Sequence, residues 1–185
     1  MLYGYFQNHL YFNECKDTIF KLIKLDSKKN IIKQLCNYDF KNTILLHFRL
    51  GDYKKQTDFY PILPVSYYYN ALHHLLYQTT NVSCITNVLY FCEECNLIEL
   101  TEMINELKQS YQDLVFERDE QLLLDWEQLL LTSLCKYNVI TNSTFSWYGR
   151  GAYFNENIDK KIYYPSIWFG PKLTHHNTTD LFPKN

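Results

Sequence analysis

Arg49 is the residue of this sequence best suited to hold an anion, because Gly51 and Asp52 follow it within three positions. A guanidinium presents a planar fork to a phosphate or diphosphate, and a glycine lets the backbone approach it. The same spacing permits a plainer role, in which Arg49 only pairs with Asp52 to brace the loop. Asp52 could also orient the guanidinium or bind a ribose, and His47 is either a member of the site or a core histidine satisfied by a backbone carbonyl. A second cluster, Asn142-Ser143-Thr144-Phe145-Ser146-Trp147, places hydroxyl and amide groups where a strand would hand over to a helix. The first turn of a helix offers unpaired N–H groups and a partial positive charge to an anion, and Ser143, Thr144 and Ser146 can add hydroxyl donors. Ordinary N-capping would account for one such residue but not for the group.

Cys92-Glu93-Glu94-Cys95 is the third cluster. As half of a zinc site it lacks a second cysteine pair, and neither His73-His74 nor His175-His176 has metal spacing relative to it, so no metal is expected. As a redox pair it would sit between a strand and a helix, but the intervening glutamates would raise the thiol pKa values, which handicaps a thiol oxidoreductase. The phosphate-binding Gly-x-x-x-x-Gly-Lys loop and the glycine-rich dinucleotide fingerprint are both missing.

These clusters need elements to hold them. Apolar runs at Ile44–Arg49, Asn87–Cys92, Leu114–Glu117, Asn138–Thr141 and Lys161–Tyr164 read as buried strands. Helical patterns cover about Ser66 to Tyr77 with Ser66 as cap, Leu97 to Gln109, Glu120 to Cys135, and a stretch from Ser143–Thr144. Strands alternating with such helices predict an α/β, Rossmann-like parallel sheet with helices on both faces. Ligands of open parallel sheets bind at the carboxyl ends of the strands, and all three clusters fall at such ends.

The composition agrees with one globular unit. Of 185 residues 46% are hydrophobic, enough for a sizeable core, and the formal net charge of −2 argues against a protein that coats nucleic acid. No apolar run approaches the roughly 20 residues that span a bilayer, and no signal peptide opens the chain. The six cysteines read as free thiols, so a reducing, cytoplasmic setting is expected, and the sequons at Asn81, Asn142 and Asn177 carry little weight. Seventeen Tyr and twelve Phe would suit a carbohydrate site; Tyr53, Phe145, Trp147 and Tyr148 are candidates to line a sugar or base, with core packing the expected role for about half of them.

Taken in order, His47-Phe48-Arg49-Leu50-Gly51-Asp52-Tyr53 resembles the His-x-Arg-Arg-Gly-Asp-Tyr motif of the α-1,2-fucosyltransferase family, glycosyltransferase family eleven. Tyr90-Phe91-Cys92-Glu93-Glu94 is similar to its second motif, an apolar strand ending Phe-Ser-Asp-Asp. The run from Ser133 to Gly149 resembles the third, Cys-Lys-His-Asn-Ile-Ile-Ala-Asn-Ser-Thr-Phe-Ser-Trp-Trp-Gly, and Gly4-Tyr5-Phe6-Gln7 is similar to a segment before the first. The resemblance implies an inverting, metal-independent transferase of the GT-B type, with GDP-fucose as donor substrate, no cofactor and a glycan as acceptor. It implies that Arg49 holds the β-phosphate of the donor, with His47 and Asp52 beside it. It further implies that Asn142, Ser143, Thr144 and Ser146 form the phosphate-side loop and that Glu94 is the acidic residue of the second motif. Arg49 and Asp52 are the expected catalytic residues; Asp52, Asp58 and Glu94 are candidates for general base by location alone.

Three departures accompany it. Leu50 stands where the family has a second Arg, which would remove a positive charge from the phosphate site. Glu93-Glu94 replaces Asp-Asp. The Gly-rich opening and acceptor-holding N-terminal half of the family have no counterpart here. Residues 1–40 are accordingly expected to be a helical linker from a missing or reduced N-terminal half, and 41–185 a nucleotide-sugar-binding domain matching the C-terminal half of a GT-B enzyme. Any membrane association is expected through segments outside this sequence. A non-catalytic nucleotide-sugar or glycan-binding remnant is the alternative function, with the thiol oxidoreductase behind it.

Overall fold

A computed structural model describes residues 9–77, 85–91, 97–119, 123–150, 160–176, 178 and 181. Two helices, α1 (Lys16–Leu22) and α2 (Leu25–Leu35), precede the first strand, β1 (Thr43–His47). There follow α3 (Val65–Tyr77), β2 (Asn87–Phe91), α4 (Leu97–Ser110), β3 (Val115–Arg118), α5 (Asp125–Leu134), β4 (Tyr137–Val139), α6 (Thr144–Arg150) and β5 (Lys161–Tyr163). The strands form one sheet in the order β3-β2-β1-β4-β5, and every pairing is parallel. The α/β, Rossmann-like arrangement read from the sequence is therefore the one observed.

β1 shows why the sheet must be covered twice. All five of its residues are buried, and successive side chains of a strand point to opposite faces. Ile44 and Leu46 join a core built with α3 and α4, including Tyr68, Leu72, Leu100 and Ile104. Leu45 joins Leu89, Leu130 and Leu131 on the other face, where Phe20 of α1 and Leu25 and Ile32 of α2 complete the packing. Residues from the segment before β1 thus belong to the same core as the sheet. A third, smaller cluster joins Ile140, Trp147 and Trp168 beside β5.

Element ends differ from the sequence reading where local chemistry overrules periodicity. Ser66 is not a cap: α3 begins at Val65, and the carbonyl of Pro64 accepts the N–H of Tyr67 at 3.0 Å. The leucine-rich pattern suggested a helix from Glu120, yet α5 begins at Asp125, with Leu124 extended before it. The N–H of Leu124 donates to Glu127 Oε2 at 2.8 Å, so a glutamate one turn in fixes the start. The β4 ladder stops at Val139, two residues short, although Ile140 still donates to the carbonyl of Tyr163 at 2.8 Å.

Candidate functional site

The sheet order defines where a ligand belongs. From β1 the chain builds outward to β2 and β3, then returns to place β4 on the opposite side of β1. Connections leaving β1 and β4 diverge, and the gap between their carboxyl ends is the switch point at which open α/β sheets bind ligands. A cavity of about 380 Å³ opens there, lined by Arg49, Asp52 and Tyr53 from one loop and by Asn142, Ser143, Thr144 and Phe145 from the other. Residues 93 positions apart are brought to one wall by the parallel pairing of β1 with β4.

Arg49 is held in place and still reaches the cavity. Its Nη2 lies 2.8 Å from Asp52 Oδ1, and its side chain is 27% exposed. The guanidinium carbon sits 5.3 Å from the ring centre of Tyr53, and the Tyr53 hydroxyl donates to the carbonyl of Asn142 at 2.8 Å. One loop is thereby tied to the other through Tyr53. The bracing pair with Asp52 is real, but a guanidinium carries five N–H donors and can hold a carboxylate and a second anion together.

His47 and Ser146 lie beneath this wall rather than on it. Both are buried, and His47 Nδ1 is hydrogen-bonded to Ser146 Oγ. Thr141, which the sequence did not single out, closes a triangle at 3.2 Å from His47 Nδ1 and 3.0 Å from Ser146 Oγ. The rings of Phe91 and Phe145 flank the imidazole at 5.1 and 5.5 Å. The Nδ1 of His47 thus sits between two hydroxyls and locks the end of β1 to α6. Asn142 is a brace as well, its amide donating to the carbonyls of Pro61 and Trp168 at 3.0 and 3.2 Å.

The rest of the lining is largely aromatic and comes from residues that the sequence did not single out as candidates. Gln56, Tyr60, Trp168 and Phe169 form it, with Tyr60 stacked on Tyr53 at 5.0 Å and 6.3 Å from Phe169. The chain after β5 reaches this position because Gly170 donates to Phe59 O at 2.7 Å and Lys172 to Asp58 O at 2.9 Å. Two adjacent aromatics bounded by Gly170 and Pro171 were the available signal. Of the aromatics proposed for the site, Tyr53 and Phe145 line the cavity. Trp147 is buried and donates to Leu181 O at 2.6 Å, and burial pushes the Tyr148 hydroxyl above its ordinary pKa.

Other candidates fall elsewhere. Glu94, Cys92 and Cys95 lie outside the described residues. Leu50 is buried and lines a separate groove with Lys54, Ile62, Met103 and Glu106, so an apolar residue at that position leaves the Arg49 cavity wall unchanged. Asp58 is paired with Lys172 at 2.8 Å and is not among the lining residues. Among the described cysteines, Cys15 is exposed and Cys36 and Cys135 are buried. Burial, then Asp119 and Glu127, push the Cys36 thiol up to about 11.

Comparison with known proteins points the same way as the motifs. The chain is similar to the O-antigen biosynthesis glycosyltransferase WbnK of Escherichia coli, with 29% identity over 180 residues, 91% of this chain and 55% of that protein. It is also similar to an alpha-1,2-colitosyltransferase of Escherichia coli, with 27% identity over 176 residues, 90% of this chain and 55% of the relative. The chain spans about half the length of these curated relatives. No family model matches it.

Proposed function

We propose that this chain is the nucleotide-sugar-binding portion of a glycosyltransferase that moves a deoxy sugar, fucose in the first instance, from a GDP-linked donor to a glycan hydroxyl with inversion. Residues 41–185 would correspond to the donor half of a GT-B enzyme. One observation carries this reading: Arg49, Ser143 and Thr144 line one cavity at the switch point between β1 and β4. The motif resemblance and the two glycosyltransferase relatives support the same class.

The chemistry follows from where charge develops. Breaking the sugar–phosphate bond leaves negative charge on the nucleoside diphosphate and an oxocarbenium-like sugar. Arg49 would offset the charge of that leaving group and the Ser143 and Thr144 hydroxyls would donate hydrogen bonds to it, and donors held in place before reaction need no reorganisation. His47, Thr141 and Ser146 would act as positioning residues by fixing both loops from below. Inversion requires a base on the side of the sugar away from the leaving group. Asp52 lines the cavity but is paired with Arg49 on the leaving-group side, and Asp58 is paired with Lys172 and is not among the lining residues, so neither is assigned that role.

Isothermal titration with GDP, GDP-fucose and UDP-sugars, followed by a turnover assay, tests the proposal. Preferential binding of the guanine ligands with release of GDP on addition of a glycan acceptor is expected. Binding without transfer would favour the remnant, and equal indifference to all nucleotides would remove the donor assignment.

A further inference from the structure

Helices α1 and α2 carry a surface that the cavity does not use. Residues 16–35 hold six Lys and two Asp, a net charge of +4 in a chain whose total is −2, so the remaining residues carry −6. On α2 the inward side chains are Leu25 and Ile32. Lys28, Ile31 and Leu35 recur at i, i+3 and i+7, the spacing of one helical face, yet Ile31 and Leu35 are 48% and 55% exposed. Leu22, at the end of α1, is 76% exposed. The Lys28 ammonium lies 4.9 Å from the ring centre of Trp126 on α5, whose indole is itself exposed, as is neighbouring Leu124. Single exposed aliphatics are ordinary. Aliphatic side chains and a tryptophan on a lysine-rich helical surface have the composition of an interfacial one.

We propose that this α1–α2 face docks the protein on an anionic lipid surface, with Ile31, Leu35 and Trp126 entering the headgroup region and Lys24 and Lys28, which share the helical face of Ile31 and Leu35, meeting the lipid charge. Charge complementarity selects this occupant. A second copy related by a two-fold axis would oppose one +4 segment with another, and a nucleic acid would match the lysines while leaving the aliphatic residues in water. No helix among the described residues is long and apolar enough to cross a membrane, so the contact is peripheral. It is independent of the donor-site reading.

The test uses the full chain in vesicle flotation, comparing phosphatidylcholine alone with phosphatidylcholine–phosphatidylglycerol at low and high salt. Co-flotation with the anionic vesicles at low salt and release at high salt are expected. Lys24→Gln and Lys28→Gln should each lower partitioning about fivefold, and the Ile31→Ser, Leu35→Ser pair about tenfold, with GDP titration unchanged in every variant. The proposal is overturned by absence of flotation, by equal binding to neutral vesicles, or by variants that float like the wild type. It is also overturned by light scattering that shows a dimer dissolved by the serine pair. A DNA or RNA complex that needs the lysines but not Ile31 and Leu35 would assign the face to nucleic acid and sink it too.

Discussion

At the scale of single residues, the guanidinium of Arg49 is the group on which transfer should depend most. Removing one preorganised donor from a site that stabilises developing negative charge typically slows reaction by two to three orders of magnitude. Arg49→Ala is expected to lower kcat by about that much, and Arg49→Lys nearly as much, because an ammonium cannot form the fork that spans Asp52 and a phosphate. Steady-state kinetics with GDP-fucose check this, and a lysine variant with full activity would contradict it. A second expectation concerns alkaline pH. Burial first, and then Asp119, push the Tyr38 hydroxyl up to about 12, and the Cys36 thiol stands at about 11. Both groups are held protonated in the folded state above their ordinary values of 9.0 and 10.0. Their contribution to stability is therefore complete below pH 9 and is lost as pH rises through about 12. Urea midpoints should hold below pH 9 and fall beyond it, and Cys36→Ala should flatten the first part of that fall.

At the scale of elements, the fold was legible because buried strands announce themselves as short apolar runs between polar loops. The five strands stand where the residues placed them to within two positions at each end. What periodicity could not show was the work of single side chains at the ends: Pro64 opening α3, Glu127 opening α5, and the Tyr67 and Tyr68 hydroxyls of α3 bonding the carbonyls of Ile140 and His47 just past β4 and at the end of β1. Those tyrosines also explain part of the aromatic content, which a carbohydrate-site reading had claimed. Half of the candidate site was readable from Arg49, Asp52 and the Ser143–Thr144 turn. The wall of Tyr60, Trp168 and Phe169 was not, because it depends on a loop and a segment some 110 residues apart meeting at Gly170. A Cβ at Gly170 would stand 2.4 Å from Asp58 O and 2.7 Å from its carbon, both backbone atoms. Gly170→Ala should accordingly cost roughly 1–3 kcal/mol by overpacking and weaken nucleotide binding as the aromatic wall shifts. Thermal unfolding and GDP titration of the one variant check both effects together.

At the scale of the molecule, the question is how far the folded unit that holds the Arg49 cavity extends toward the start of the chain. The resemblance placed a linker over residues 1–40, which predicts that 41–185 folds without it. The packing argues otherwise. Phe20, Leu25, Ile32 and Cys36 are buried in the cluster that, with Leu131 of α5, covers Leu45, Leu89 and Phe91 on one face of the sheet. Full burial of an aliphatic or aromatic side chain is worth about 1.5–3 kcal/mol, so the three largest of these contribute on the order of 5–9 kcal/mol. That is gross burial, offset by the entropy of ordering the two helices, but the truncation would also expose their partners Leu45, Leu89 and Phe91 on the sheet, where no ordering entropy is regained. Part of one face of a parallel sheet would be uncovered, leaving α5 as its main cover over Leu45 and Leu89, whereas such sheets are ordinarily buried on both faces. Expression of residues 41–185 should give aggregated or molten protein, judged by near-ultraviolet circular dichroism and dye binding, while a version beginning at residue 9 should unfold cooperatively and bind GDP. A stable, cooperative 41–185 fragment would restore the linker and place α1 and α2 outside the unit.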